Sequence, residues 1–145
     1  MISIENINEF SEELPNDIGK LMPILNSKYS NKLIDPNILQ DIIKSPYHAL
    51  FVAKKDNLIV GVAVLSVVMG VDIGKNAYLE SFVIDPSFQG QGISSKMWNK
   101  MLDWAKENDC KKLEFTSNPR RKRAISFYKK NNAKIYDTNF FQLSL

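Results

Sequence analysis

Apolar and polar positions alternate over Ile2–Ile7, the period of a half-buried strand. The period then lengthens. Phe10, Leu14, Ile18, Leu21, Leu25 and Tyr29 recur every three or four positions and predict a helical stripe, which Pro15 and Pro23 break or delay. A second short helix is predicted from Pro36 to Lys44, with Asp35 as its cap and Ser45-Pro46 as its stop. The middle of the chain predicts strands. Ala49–Lys54 and Leu58–Met69 flank Lys55-Asp56-Asn57, a hairpin turn by composition. Gly70–Asn76 supplies a further turn before a third strand, Ala77–Ile84, which Asp85-Pro86 ends. Residues 91–107 then show an apolar helical face at Ile93, Met97, Met101 and Ala105, widened by Trp98 and Leu102. Leu113–Thr116 reads as a strand, Pro119–Asn131 as a helix and Ile135–Leu143 as a strand again. An antiparallel front half joined to a βαβαβ back half predicts an α/β fold, a mixed and mostly antiparallel sheet flanked by helices.

Composition narrows this picture. A chain of 145 residues without repeats, low-complexity tracts or linkers predicts a single domain, residues 1–145. One cysteine, Cys110, leaves no internal disulfide framework and suits a reducing compartment. With His48 as the sole histidine, a His/Cys metal cluster is excluded and no metal is expected. The acidic start has no apolar run of the signal-peptide kind. The longest nearly continuous apolar stretch, Leu58–Val71, has 14 residues and is rich in valine, too short for a membrane helix and typical of a buried strand. These features predict a cytoplasmic protein with no membrane partner. The net charge is +3, yet Arg120, Arg121, Lys122 and Arg123 carry four positives, so the rest of the chain is slightly acidic.

Two segments carry candidate chemistry. Gln89-Gly90-Gln91-Gly92-Ile93-Ser94-Ser95 lies between a buried strand and an amphipathic helix. Glycines let the backbone turn sharply and aim successive N–H groups into one concavity. The helix start adds unpaired N–H groups and the positive end of its dipole, a setting for phosphate or pyrophosphate. A plain strand-to-helix turn is the alternative. Downstream, Asn118 predicts a helix cap and Pro119 a first helical residue, which places four cations against the dipole. Such a start favours nearby anions, and Arg121 is the residue assigned to a phosphate. A solvated or nucleic-acid-binding patch is the other reading of the cluster.

The spacing of Gln89, Gly92 and Ser94 after Val83-Ile84-Asp85-Pro86, with Thr116-Ser117, Arg121, Ala124 and Phe127-Tyr128 downstream, resembles the GNAT acetyltransferase superfamily over about Tyr78–Lys130. Two positions depart from its pattern. Ser94 stands where Gly or Ala is usual, and Asn131-Asn132-Ala133 replaces a common Gly-Phe. The resemblance implies acetyl-CoA as co-substrate and an N-acetyltransferase acting on an amine of unidentified kind by direct transfer in a ternary complex. It further implies that the backbone of Phe82, Val83 and Ile84 pairs with the pantetheine arm, and that Val83 N–H polarises the thioester carbonyl. The pyrophosphate falls to Gln89, Gly90, Gln91, Gly92, Ile93, Ser94 and Ser95. Asn118 and Arg121 complete the cofactor contacts, and Tyr128 sits near sulfur to protonate the thiolate. As an oligomer, a monomer or a homodimer is expected.

Glu80 is the candidate general base. It interrupts an apolar strand and, by strict alternation, shares a face with Tyr78, Phe82 and Ile84, where burial would raise its pKa. A structural carboxylate is the competing role, as a core tyrosine is for Tyr128. Gly90-x-Gly92-x-x-Ser95 followed by Glu114 also approximates a dinucleotide fingerprint. Too little chain follows it for the remaining βαβ units, and no Gly-Lys-Ser/Thr is present for a P-loop. A CoA-binding or nucleic-acid-binding module without catalysis is the non-enzymatic alternative.

Overall fold

The computed structural model describes residues 1–30 and 33–145. The chain forms two compact units, Met1–Phe115 and Thr116–Leu145.

The first unit is built on a sheet of five strands among the described residues: β1 (Ile2–Asn6), β2 (His48–Lys55), β3 (Leu58–Gly70), β4 (Gly74–Ile84) and β5 (Leu113–Glu114). They lie in sequence order, antiparallel except for the parallel β4–β5 pair. The helical stripe is broken as its prolines predict, into α1 (Leu14–Gly19), α2 (Met22–Leu25) and a 3₁₀ turn at Ser27–Tyr29. Helix α3 (Pro36–Lys44) starts on Asp35, whose carboxylate accepts from Asn37 N–H at 2.8 Å. The β2–β3 hairpin closes through Asp56 and Asn57 alone, at φ of 49° and 69°, the left-handed pair that suits the twist of the flanking strands.

Register sorts the sheet into two faces. Leu50, Val52, Val62 and Val83 pack with Leu14, Ile18, Leu21 and Leu39 on the side of α1–α3. Ala53, Gly61, Ala63, Ala77 and Ile84 fall on the other, which α4 (Ile93–Glu107) covers with Ile93, Met97, Trp98, Met101 and Ala105. The small residues there let the helix approach. A Cβ on Gly61 would sit 2.6 Å from Ile84 Cδ1, 3.2 Å from Met97 Sδ and 3.3 Å from Ala53 Cβ. Burial on both faces explains the almost unbroken apolar run of β3.

The second unit contains α5 (Lys122–Lys130). Between Leu113 and Leu143 four expectations need correction. The strand predicted over Leu113–Thr116 keeps only its first two residues, and the helix predicted over Pro119–Asn131 begins three residues late. Asn118 does not cap it: Asn118 Oδ1 accepts from Arg120 N–H and its carbonyl from Arg121 N–H, both at 2.9 Å. This closed turn uses the asparagine before the helix starts. The strand predicted over Ile135–Leu143 is absent, residues 133–145 carrying neither helix nor strand. Asp137-Thr138-Asn139 interrupts its apolar run with side chains that compete for backbone hydrogen bonds.

Candidate functional site

Strand β4 supplies the first part of the site. Its ladder with β5 covers only Ala77–Leu113 and Tyr78–Glu114, whereas β4 runs on to Ile84. The strand thus outlasts its neighbour along the segment that holds Phe82, Val83 and Ile84. All three side chains are buried, so the main chain is what this segment offers a ligand.

Past Ile84, Asp85 Oδ1 accepts from Ser87 N–H at 2.8 Å and starts a 3₁₀ turn, Pro86–Phe88. Gln89 Nε2 then donates to Ile84 O at 3.2 Å and ties the loop to the strand end. Gly90 and Gly92 take φ of 78° and 76°, and a Cβ on either would meet nothing within 4 Å. Glycine is needed there for the backbone conformation, not for space. Gly92 is the N-cap of α4 and provides no side-chain cap, leaving the first N–H groups of a 15-residue helix directed toward the loop. Gly90, Gln91, Gly92 and Ser95 are exposed, Ser94 is half-buried, and Ile93 anchors the turn in the core. The whole Gln89–Ser95 segment is therefore gathered at one strand-to-helix junction.

Glu80 departs from expectation. In the β3–β4 ladder Leu65 faces Leu79 and Val64 faces Ser81, so Glu80 is the extra residue of a β-bulge. The bulge shifts alternation by one. Tyr78 stays opposite Ser66, while Phe82 and Ile84 lie opposite Ala63 and Gly61 on the α4 face. Glu80 is also exposed, where burial was expected. Its carboxylate instead accepts a hydrogen bond from Ser66 Oγ, 2.9 Å from Oε1. Sequence reasoning missed Ser66, although it is the sole polar side chain within Leu58–Met69. Asn76, also missed, is buried and donates from Nδ2 to Glu114 Oε1 at 2.6 Å. Glu114, the exposed last residue of β5, is thereby tied to β4.

In the second unit Tyr128 is buried, with the Phe127 ring edge-on at 5.9 Å between centroids. Burial pushes its phenol above the usual range, and the charge and hydrogen bond of Arg121 pull it partly back. The net effect keeps the phenol protonated through neutral pH, the form able to donate. Arg121 is half-buried beside it, while Arg120, Lys122 and Arg123 are exposed. Burial also raises the Cys110 thiol, ahead of the opposing charge of Lys75 and the reinforcing one of Asp109, which makes it a poor nucleophile. Among the described residues no group of three or more His, Cys, Asp or Glu is placed to hold a metal ion, and no helix is long and apolar enough to cross a membrane.

A strand that outruns its parallel neighbour, followed by a left-handed glycine turn into an uncapped helix, belongs to a defined class. The chain is a member of the acetyltransferase (GNAT) family, which residues 12–132 match. Among similar proteins are the thialysine N-epsilon-acetyltransferase of Bos taurus, 38% identical over 56 residues (39% of this chain and 33% of that protein), and the putative [ribosomal protein bS18]-alanine N-acetyltransferase of Bacillus subtilis (strain 168), 22% identical over 79% of this chain and 72% of that one. The matches span 33% and 51% of the bovine and Mus musculus thialysine enzymes. The fold is shared with a transcriptional regulator from Bacillus halodurans C-125, at TM-score 0.85 and 18% identity over 99% of this chain and 100% of that one. It is shared also with an aminoglycoside acetyltransferase from an uncultured soil metagenomic sample in complex with sisomicin, at TM-score 0.83 and 21% identity over 99% and 97% of the two chains.

Proposed function

We propose that this chain is an acetyl-CoA-dependent N-acetyltransferase, acting as one domain over residues 1–145 and transferring acetyl directly to a primary amine in a ternary complex. The observation that carries the reading is the Gly90–Gly92 turn, left-handed at both glycines and feeding the uncapped N-terminus of α4. Backbone N–H groups of Gln89–Ser95 bind the pyrophosphate. The β4 main chain from Phe82 to Ile84 aligns the pantetheine arm. Asp85 N–H donates to Val60 O, and Val83, opposite Val62 two residues earlier in the same ladder, turns its N–H to β3 as well. The N–H that stabilises the developing oxyanion is therefore one on the open side, from Phe82 or Ile84, and not that of Val83. Asn118 and Arg121 contribute the remaining cofactor contacts.

In the transfer the amine nitrogen forms a bond to the thioester carbonyl carbon and the carbon–sulfur bond breaks. Glu80, exposed on its bulge, takes the proton that the ammonium must lose, directly or through water. Tyr128, kept protonated by burial, gives its proton to the departing thiolate. We place the protein in the cytoplasm, as a monomer or homodimer.

The test is thioester consumption across an amine panel, with Glu80→Gln beside the parent. Turnover with at least one amine is expected, and the variant should lose about a hundredfold or more in kcat, the usual scale for a general base. Higher pH should partly restore it, because more of the amine is then already neutral. A thermal shift by CoA without turnover of any amine would leave a CoA-binding module. Exposed Arg120, Lys122 and Arg123 favour nucleic acid as the second reading, which salt-sensitive DNA or RNA binding lost on mutating the cluster would establish.

A further inference from the structure

We propose that Ser66 is a positioning residue for Glu80, holding its carboxylate so that one oxygen is tied to the sheet and the other stays open to the acceptor amine. The inference rests on the assignment of Glu80 as the base. An exposed glutamate on a bulge samples several rotamers, and each unproductive one dilutes the base. Ser66 is in the opposite condition. It is 7% exposed on β3, between β2 and β4, with Tyr78 facing it across one ladder and His48 across the other.

A buried hydroxyl in an apolar strand is costly unless its proton is used. Its one proton goes to Glu80 Oε1, at 2.9 Å. The neighbouring imidazole is engaged elsewhere, with His48 Nδ1 2.8 Å from Ser45 Oγ. A serine proton directed at Oε1 leaves Oε2 and the second lone pair of Oε1 as acceptors. The bulge makes this contact possible. With unbroken alternation Glu80 would continue the row of Tyr78 and meet the position opposite Val64, beyond the serine. The extra residue instead leaves the Glu80 carboxylate within reach of a side chain one ladder step back.

The experiment compares Ser66→Ala, Ser66→Thr, Glu80→Gln and the double variant S66A/E80Q. It reads kcat and KM for acetyl-CoA and for one turned-over amine, with melting temperature measured alongside. Ser66→Ala should lower kcat by roughly tenfold while KM for acetyl-CoA stays within about twofold. Ser66→Thr, which keeps the hydroxyl, should restore most of the loss. In the Glu80→Gln background Ser66→Ala should cost nothing further, because the two residues act as one unit. Full additivity in the double variant, or an unchanged kcat in Ser66→Ala while Glu80→Gln is impaired, overturns the positioning role and leaves the base intact. An unchanged kcat in Glu80→Gln overturns the base and the positioning role together. Should Ser66→Ala not fold, Ser66→Cys keeps the volume without a strong donor, and the same outcomes decide.

Discussion

Replacing Gly92 by alanine isolates what the glycine turn contributes. Its φ is 76° and an added Cβ meets no atom within 4 Å, so the cost is backbone strain without steric clash. For an L-residue held left-handed that strain is about 1–2 kcal/mol. If the turn keeps its shape, the whole cost falls on stability. At about 2–4 °C per kcal/mol for a chain of this size, the melting temperature drops by roughly 2–8 °C. If the turn relaxes to negative φ, the N–H groups of Ile93, Ser94 and Ser95 lose their common direction. CoA affinity then falls by about five- to thirtyfold, the same energy read as a binding constant. We expect mainly the second outcome, since the loop is exposed and cheaper to reshape than the core. Calorimetric titration with CoA would measure it, and S-acetylpantetheine, which lacks the pyrophosphate, should bind parent and variant alike. Gly92→Asn is the control, because asparagine tolerates the left-handed region and should retain affinity to within about threefold. Equal losses for alanine and asparagine would refute the argument from φ, and equal losses for S-acetylpantetheine would refute the pyrophosphate assignment.

Other perturbations test separate parts. Tyr128→Phe removes only a hydroxyl, so CoA affinity should hold while kcat falls, and raising the pH should not restore it, as kinetics at several pH values would show. The Tyr128 pKa is raised in the folded state, so its neutral form contributes stability below the unfolded value near 10 that is lost as pH climbs through the folded one. Tyr128→Phe should flatten that alkaline loss in melting curves. Arg121→Ala should weaken CoA by about 1–3 kcal/mol and dephospho-CoA by less, and equal losses in titration would remove the 3′-phosphate as its partner. Gly61→Ala should cost about 1–3 kcal/mol in urea unfolding, because Ile84 and Met97 must give way for its Cβ.

Elements whose cause is local were legible in the sequence. The prolines that break the first helical stripe, the Asp35 cap and the Asp56-Asn57 turn each act within a few residues of themselves. The turn after β3 was overestimated because Gly74, Lys75 and Asn76 read as turn residues, yet β3 draws them into its ladder with Gly70 facing Gly74. At Asn118 the composition was right for a cap, but the same side chain satisfies a turn three residues earlier. The last strand failed for want of a partner: apolar residues alone do not make a ladder, and β5 is two residues long.

The site divides along the same line. The glycine turn is a property of its own seven residues, so their identity was enough to locate it. Glu80 is different, because a bulge is a relation between two strands. Period-two alternation predicts which residues share a face only while the register is unbroken, and one extra residue reverses every position beyond it. Nothing within Tyr78–Ile84 marks where that residue falls. The informative signal lay on β3, where a serine interrupts a run of apolar side chains and its buried hydroxyl requires an acceptor. Glu80 supplies that acceptor because it is displaced from the regular ladder. Burial of Phe82 and Ile84 against α4 and exposure of Glu80 are thus two results of one register shift. A variant that restored regular alternation by deleting residue 80 would keep the α4 face packed and remove the carboxylate together with its serine partner.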